Sequence, residues 1–150
     1  MARGAAERLP RRIEDSRLGV LRRVRGGSSF AGEVVTRKGT IEIDIEVIDG
    51  PVERAIERAK AIVRAVERHS AAAKRYASAN LLRLKNETWI DETTPVSDLQ
   101  FRRRLELERI DVAPDLSVTF WYRDGDLFWG HFVRVELNRR DRPISAELPG

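Results

Sequence analysis

The stretch from Ser117 to Leu137 carries the pattern that most restricts the fold. Two runs of aromatic and β-branched residues flank the dipeptide Asp124-Gly125. That dipeptide suits a type I′ turn, because both central residues of such a turn have positive φ. With these two residues as the whole loop, Tyr122 would pair with Leu127. The stretch therefore predicts an antiparallel β-hairpin around which the rest of the chain is organised.

This register sorts the side chains of the hairpin into two faces. The face predicted to form the core under the helices is long and apolar, and it comprises Val118, Phe120, Tyr122, Leu127, Trp129, His131, Val133, Val135 and Leu137. On the opposite face Trp121, Phe128 and Phe132 cluster around Gly130, whose missing side chain leaves a dent between the rings. A concave aromatic patch is a common recognition surface, so this face predicts binding of a protein partner or of a second copy of the chain. The alternative is that another segment of the same chain covers the patch.

The remaining strands and helices predict the fold class. Leu18 to Val24 and Phe30 to Thr36 are typical of strands, and from Ile41 to Val47 apolar and acidic residues alternate strictly. Further strands are expected at Ile110 to Ala113 and at Ile144 to Leu148. Strands followed by helices and then strands predict an α+β domain, in which an antiparallel sheet of about six to seven strands carries two to three helices on one face.

The helices are predicted between these two groups of strands. Apolar residues recur at helical spacing from Val52 to Val66 and lose phase near His69-Ser70, where we expect a bend. A second helix is expected from Ala71 to about Lys85. Ser97 followed by Gln100 has the form of a capping box and predicts a third helix that reaches about Leu107.

Length and charge indicate one domain with a basic leader. The chain has 150 residues and a net charge of +4, and much of its excess charge lies in the first 25 positions. Residues 1–15 have no hydrophobic period, which predicts a flexible basic leader, and residues 16–150 are predicted to form a single domain. The chain has no cysteine and no apolar run near the length that spans a bilayer, so we expect a cytoplasmic protein without a membrane segment.

Two groups of polar residues suggest alternative functions. Lys60, Arg64 and Arg68 fall at four-residue spacing on the first helix and, with the leader arginines, favour nucleic-acid binding as one alternative. The other alternative is an enzyme in which His131 is the general base and Asp126 its acidic neighbour. In the predicted hairpin these two residues lie on different faces, which favours a core histidine instead.

Other candidate sites have ordinary structural explanations. The acidic row Glu42, Asp44 and Glu46 is spaced too widely along its strand to share one cation, so we expect a solvated strand face and predict no metal and no cofactor. His69 is expected near a helix end, where the helix dipole would favour an imidazolium. Phosphate loops, nucleophile elbows and two-histidine metal motifs do not occur in the sequence, so no catalytic residue is assigned.

A family resemblance rests on the hairpin. Phe120-Trp121-Tyr122 followed by Asp124-Gly125-Asp126-Leu127-Phe128-Trp129-Gly130-His131 resembles the signature of a bacterial family, DUF2262, a domain of unknown function. Weaker similarity extends over residues 16–150. The resemblance implies one whole domain in a bacterial cytoplasm, and it implies no catalytic residue because the family carries no established activity. The leading hypothesis is a non-enzymatic protein-binding module, with an immunity or accessory role in bacterial conflict as a guess at its biology.

Overall fold

The computed structural model describes residues 9–48, 50–90 and 94–149, and these residues form one eight-stranded sheet and three helices. The strands are β1 (Arg12–Asp15), β2 (Gly19–Arg23), β3 (Ser29–Thr36), β4 (Gly39–Glu46), β5 (Glu106–Val112), β6 (Val118–Arg123), β7 (Val133–Leu137) and β8 (Pro143–Glu147). The helices are α1 (Val52–Arg64), α2 (Val66–Glu87) and α3 (Asp98–Arg104). The strands lie in the sheet in their order along the chain.

The connection from β4 to β5 determines the topology. These two strands are parallel, with Ile43 opposite Ile110, whereas the other neighbouring strands are antiparallel. Parallel neighbours need a long crossover, and the helices lie within it. The α+β class is therefore confirmed. The predicted antiparallel sheet of about six to seven strands is found as a mostly antiparallel sheet of eight strands with one parallel pair.

The additional strand is β1, which lies inside the range predicted as a flexible leader. β1 pairs with β2, with Ile13 opposite Leu21, and Ile13 packs against the core. A four-residue strand with one apolar side chain has too short an alternation to be recognised in sequence. The sheet thus begins at residue 12, whereas the sequence predicts its first strand from Leu18. Residues 1–8 of the predicted leader lie outside the described residues.

The core lies between the sheet and its helices. Helix α1 packs near β4 and β5, and α2 packs near β7 and β8. The predicted alternation in β4 is confirmed, since Ile41, Ile43 and Ile45 are buried while Glu42 is exposed. In α1 the buried stripe consists of Ala55, Ile56, Ala59, Ile62 and Val63. The apolar faces of strand and helix that the sequence pattern indicates therefore meet in one core.

The break between the first two helices lies earlier than predicted. It occurs at Ala65, which ends α1 and begins α2, so the expected bend near His69-Ser70 is wrong by about one helical turn. His69 is buried near the positive N-terminal end of α2. Burial lowers the pKa of His69, and Arg68 and Arg58 act in the same direction, while Asp141 opposes them. The expected imidazolium is therefore disfavoured, because both desolvation and the helix dipole oppose the charge.

The third helix begins where the capping box predicts. The backbone N–H of Gln100 donates to the Ser97 hydroxyl at 3.1 Å, and the Gln100 side chain accepts from the Ser97 N–H at 2.8 Å. The helix ends at Arg104 instead of about Leu107, because Leu105 is extended and β5 starts at Glu106. This places Arg104 beside the loop that follows β6.

Candidate functional site

The connection between β6 and β7 is a long loop. Tyr122 lies opposite Val133 and Trp121 lies opposite Arg134, so the predicted pairing of Tyr122 with Leu127 is wrong. Residues 124–132 therefore form a loop, here called the Asp124 loop, instead of a two-residue turn and a strand. The second part of the predicted signature, Asp124 to His131, occupies this loop, while Phe120, Trp121 and Tyr122 lie in β6.

A buried carboxylate explains why the loop does not continue as a hairpin. Asp124 is 4% exposed and accepts hydrogen bonds from the backbone N–H groups of Asp126, Phe128 and Gly130 at 3.1, 2.7 and 3.0 Å. The positive φ values fall on Gly125 and Asp126, one residue later than predicted, and the Leu127 N–H closes that turn onto the Asp124 carbonyl. Bonds from three amides to one carboxylate hold the loop in a single conformation.

The loop reverses the predicted positions of two aromatic residues. Phe128 was expected on the open face but is 0% exposed, with its ring edge-on to Trp89 at 5.7 Å and to Phe101 at 6.0 Å. Trp129 was expected in the core but is 62% exposed and has a φ of 56°. The other predicted core residues of β6 and β7 are buried: Val118, Phe120, Tyr122, Val133, Val135 and Leu137.

Trp121 and Phe132 remain together on the face of the sheet opposite the buried residues of β6, with ring centroids 6.3 Å apart. The Trp121 ring lies between the guanidinium groups of Arg109 and Arg134 at 4.7 and 5.5 Å, and its indole N–H donates to Asp111 at 2.9 Å. Cations and a carboxylate therefore occupy the surroundings of Trp121. The predicted group of Trp121, Phe128, Gly130 and Phe132 does not form one patch, since Phe128 is in the core and the Gly130 amide is bound to Asp124.

A second aromatic group lies where the Asp124 loop meets the end of α2. The Trp89 ring contacts Trp129 at 4.7 Å and His131 at 5.3 Å, both edge-on. The buried side chain of Lys85 donates to the Trp89 carbonyl at 2.5 Å and so holds this segment in place. Ile90, Trp129 and His131 are exposed here, and we call these three residues the tryptophan surface. Sequence reasoning missed it because the wrong register placed Trp129 and His131 inside.

The predicted acid–base pair is not assembled. His131 is exposed instead of enclosed in the core, and its contact is the Trp89 ring. Asp126 is also exposed, and within residues 9–48, 50–90 and 94–149 no hydrogen bond or ion pair joins it to His131. Among those same residues no three His, Asp or Glu side chains are grouped to hold a metal ion. Among the described residues, no acidic side chain is therefore paired with His131.

Two of the three predicted basic residues converge on a cleft. Arg64 and Arg68 line a depression of about 700 Å³ together with Arg17 and Arg37, and we call it the arginine cleft. Lys60 is instead paired with Asp15 at 3.2 Å and with Glu57 at 3.5 Å. Lys60 donates a hydrogen bond to the Asp15 carboxylate, and this bond raises the pKa of Lys60, so its ammonium is satisfied within the protein.

A family model described as an uncharacterised protein conserved in bacteria, DUF2262, matches residues 15–148. The chain belongs to the DUF2262 family. The resemblance inferred from the sequence is thereby confirmed, and the match includes the Asp124 loop, Trp89 and the arginine cleft. Neither a curated protein nor a solved structure matches the chain.

The helices of this DUF2262 member are amphipathic. In the part of the chain that the structure describes, none of them is long and apolar enough to cross a membrane. The apolar sides of α1 and α2 pack into the core, and their charged sides provide two of the four cations of the arginine cleft, Arg64 and Arg68. The surfaces that stand out for recognition are therefore the tryptophan surface and the basic residues near the break between α1 and α2.

Proposed function

We propose that this DUF2262 member is a non-enzymatic binding module that recognises a protein partner through the tryptophan surface. The observation that carries the proposal is the presentation of Trp129, which is 62% exposed on a loop whose backbone is bound by a buried carboxylate. Trp89 packs against the Trp129 ring and supports it from one side. The proposal keeps the protein-binding role predicted from the sequence and moves it from the sheet face to the loop.

The Trp129 ring contributes little burial energy to folding, because most of it stays in contact with water. A tryptophan with more than half its surface in water forgoes about 3 kcal/mol of favourable burial. A non-glycine residue at positive φ costs a further ~1 kcal/mol. A partner that covers the indole would gain the burial energy that folding leaves unused. In many protein interfaces a rigid aromatic side chain at the centre contributes most of the binding energy, and Trp129 has the features of such a hot spot.

The rigidity of the Asp124 loop favours recognition of a preformed surface. Three amides bound to one carboxylate leave little conformational freedom to lose on association, and ordering costs are a large part of the cost of binding. His131 contacts the same Trp89 ring as Trp129, and the exposed Ile90 follows Trp89 in the chain, so a polar and an apolar side chain accompany the indole. Such a mixture of a central aromatic and a polar rim is typical of protein interfaces.

The test compares tagged wild type with Trp129→Ala and with Ile144→Ala, a control at another exposed apolar side chain. Each is used as bait in nuclease-treated lysate of the native host, after circular dichroism has verified folding. We expect one protein that wild type and Ile144→Ala retain equally and that Trp129→Ala loses at least about tenfold, as for a hot-spot residue. An identical set of retained proteins for all three baits would refute the proposal. Self-association in sedimentation experiments that Trp129→Ala abolishes would assign the surface to a homodimer instead.

The arginine cleft supports a second candidate function, namely nucleic-acid binding. Arg17, Arg37, Arg64 and Arg68 line it with Glu67 as the one carboxylate of its lining. Among the residues that the structure describes, none of these four guanidinium groups forms an ion pair. Arginine suits phosphate because it donates two parallel hydrogen bonds. The cleft thus replaces the predicted helix stripe, since Lys60 is paired elsewhere.

Salt dependence distinguishes this second candidate from the first. If the four arginines each neutralise a phosphate of duplex DNA, affinity should fall roughly 100-fold between about 50 and 200 mM salt. We expect Arg64→Gln combined with Arg68→Gln to reduce that slope, while Arg139→Gln with Arg140→Gln leaves it unchanged. Fluorescence anisotropy with a labelled duplex measures both quantities. A salt slope near zero, or equal binding by both double variants, would count against nucleic-acid binding.

A further inference from the structure

A second basic cavity also borders the β3–β4 turn, and it shares Thr36, Val66 and Glu67 with the arginine cleft. It measures about 490 Å³ and is bounded by that turn, by the first half of α2 and by the junction of α3 with β5. Its charged lining consists of Lys38, Lys74, Arg103, Arg104, Glu67 and Glu106. We call it the lysine cavity. Its residues come from three separated parts of the chain, so no sequence pattern indicates it.

The charge of the cavity is not balanced by its own lining. Four cations face two carboxylates, which leaves a net charge of 4 − 2 = +2. Lys74 is half-buried, and its contact is the face of the Tyr122 ring at 5.9 Å. No hydrogen bond or ion pair joins Lys74 to another described residue. Burial lowers the pKa of Lys74, Lys38 adds to the effect, and Glu106 offsets part of it.

The walls of the cavity are held in place without a ligand. In the β3–β4 turn the Thr36 hydroxyl donates to the Gly39 carbonyl at 2.7 Å and accepts from the Lys38 N–H at 3.2 Å. Ser70 and Tyr122 share a hydrogen bond between their hydroxyl groups at 2.8 Å. Burial raises the pKa of Tyr122, so its phenol stays neutral. The lysine cavity is therefore a preformed site, as small-molecule sites usually are.

The lining also has an apolar part. Ile41, Leu105 and Leu107 border the cavity beside the cations. A volume of this size lies within the usual range for small-molecule sites, and the mixture of cations with aliphatic side chains suits a ligand with one anionic end and one less polar end. A bare inorganic anion would leave the apolar wall without contact.

We propose that the lysine cavity binds a small organic phosphate monoester, with Lys38, Lys74 and Arg103 as its phosphate contacts. A phosphate monoester carries a charge between about −1.5 and −2 at neutral pH, which matches the excess of the lining. Its oxygens accept from ammonium and guanidinium groups together. Arg104 lies at the edge of the site and donates to the Gly125 carbonyl at 2.8 Å, so it is assigned no contact.

Isothermal titration calorimetry at low salt tests the proposal. The probes are adenosine 5′-monophosphate, glucose 6-phosphate and inorganic phosphate, with adenosine and succinate as controls for the uncharged part and for a dicarboxylate. We expect saturable binding of the organic phosphates. Lys74→Met should weaken it at least about tenfold and Arg103→Gln severalfold, because each removes a charged donor. Arg75→Gln, at an exposed neighbour of Lys74 on α2, removes the same charge outside the cavity and should bind as wild type.

Four outcomes would overturn the proposal. Absence of saturable binding by every phosphorylated probe is one, and succinate that binds as tightly as the phosphates is another. A folded Lys74→Met variant with wild-type affinity would also overturn it, as would loss of binding in the Arg64→Gln, Arg68→Gln double variant, which would place the site in the arginine cleft. Lys74→Arg, which keeps the charge, is expected to retain binding if Lys74→Met is poorly folded. Trp129→Ala should bind the probes normally, so the test is independent of the proposed protein partner.

Discussion

Two hairpins of one sheet are closed in opposite ways. β3 and β4 pair in register from Ser29 opposite Glu46 to Thr36 opposite Gly39, and only Arg37 and Lys38 connect them. β6 and β7 pair only from Val118 opposite Leu137 to Tyr122 opposite Val133, and residues 124–132 connect them. Both pairs place apolar side chains on the helix side of the sheet. The difference therefore lies in the connections and not in the strands.

The short turn is a local structure, whereas the long loop is part of the core. Thr36 and Gly39 hold the β3–β4 turn by bonds within the turn itself, and its residues are not buried. The Asp124 loop instead contributes Leu127 and Phe128 to the core, both fully buried. A loop that packs into the core can hold an exposed residue such as Trp129 rigidly in place. The same contacts thus stabilise the domain and present its proposed binding surface.

The largest expected effect is the loss of the Phe128 ring. Phe128→Ala should reduce the free energy of unfolding by about 3–5 kcal/mol, because it leaves a cavity between Trp89 and Phe101. Phe132→Ala is the matched control in the same loop. Its side chain is 41% exposed, so we expect a cost below about 1 kcal/mol. Urea denaturation of both variants measures the difference, and equal costs would mean that Phe128 does not belong to the core.

The second effect concerns the carboxylate that organises the loop. Asp124→Ala should cost about 2–3 kcal/mol, because the three amides bound to Asp124 lose their acceptor in a buried environment. Asp124→Asn keeps one acceptor oxygen and should cost less. Thr36→Ala in the short turn removes an exposed local bond and should cost about 0.5–1 kcal/mol. If Thr36→Ala proved as costly as Asp124→Ala, the contrast between the two connections would be wrong.

The sequence predicts the strand faces well because their pattern is local. The alternation from Ile41 to Ile45 and the Ser97 capping box need only near neighbours, and both are confirmed. The position of Phe128 depends on Trp89 and Phe101, which are distant in sequence. A dipeptide that favours a tight turn cannot report such contacts, because the turn propensity is small compared with burial of an aromatic ring.

The candidate sites were less predictable than the fold for the same reason. Arg17 and Arg37 are separated in sequence from Arg64 and Arg68. Their shared cleft can be inferred only when the strand order is known. The Asp124-Gly125 dipeptide indicates a turn at Asp124, but the role of Asp124 as acceptor for three amides depends on its burial. The parallel pairing of β4 with β5 likewise follows from the path of the helices and not from either strand.

A smaller effect is expected at the glycines of the two connections, where the backbone has positive φ. A Cβ atom at Gly125 would lie 2.5 Å from the Arg104 carbonyl oxygen, and its φ of +56° already disfavours a side chain. Gly125→Ala should therefore cost about 2 kcal/mol through strain and displacement of α3. Gly39 also has positive φ but faces open space, so Gly39→Ala should cost only about 1 kcal/mol. Thermal unfolding of the two variants compares them, and the reverse order of melting temperatures would contradict the close approach of α3 to the Asp124 loop.

The smallest effect concerns a third connection, between β7 and β8, which an ion pair joins to α1. Arg58 of α1 pairs there with Asp141 at 2.5 Å and donates to the Asn138 carbonyl at 3.2 Å. The charges of Asp141 and Arg58 also act on His69, and burial lowers the pKa of His69 below its usual value near 6.5. The unfolded chain therefore binds a proton at His69 more readily than the folded chain does. Stability from this residue is fully present above about pH 6.5 and falls as the pH drops through the lowered pKa.

Urea denaturation between about pH 8 and pH 5.5 checks the sign of this effect against His69→Gln. Wild type should lose more stability over that interval than the variant, because carboxylates common to both cancel in the comparison. Parallel profiles would mean that His69 is equally ready to take a proton in the folded and unfolded chains. A wild type that gains stability towards low pH would instead mean that Asp141 outweighs burial at His69.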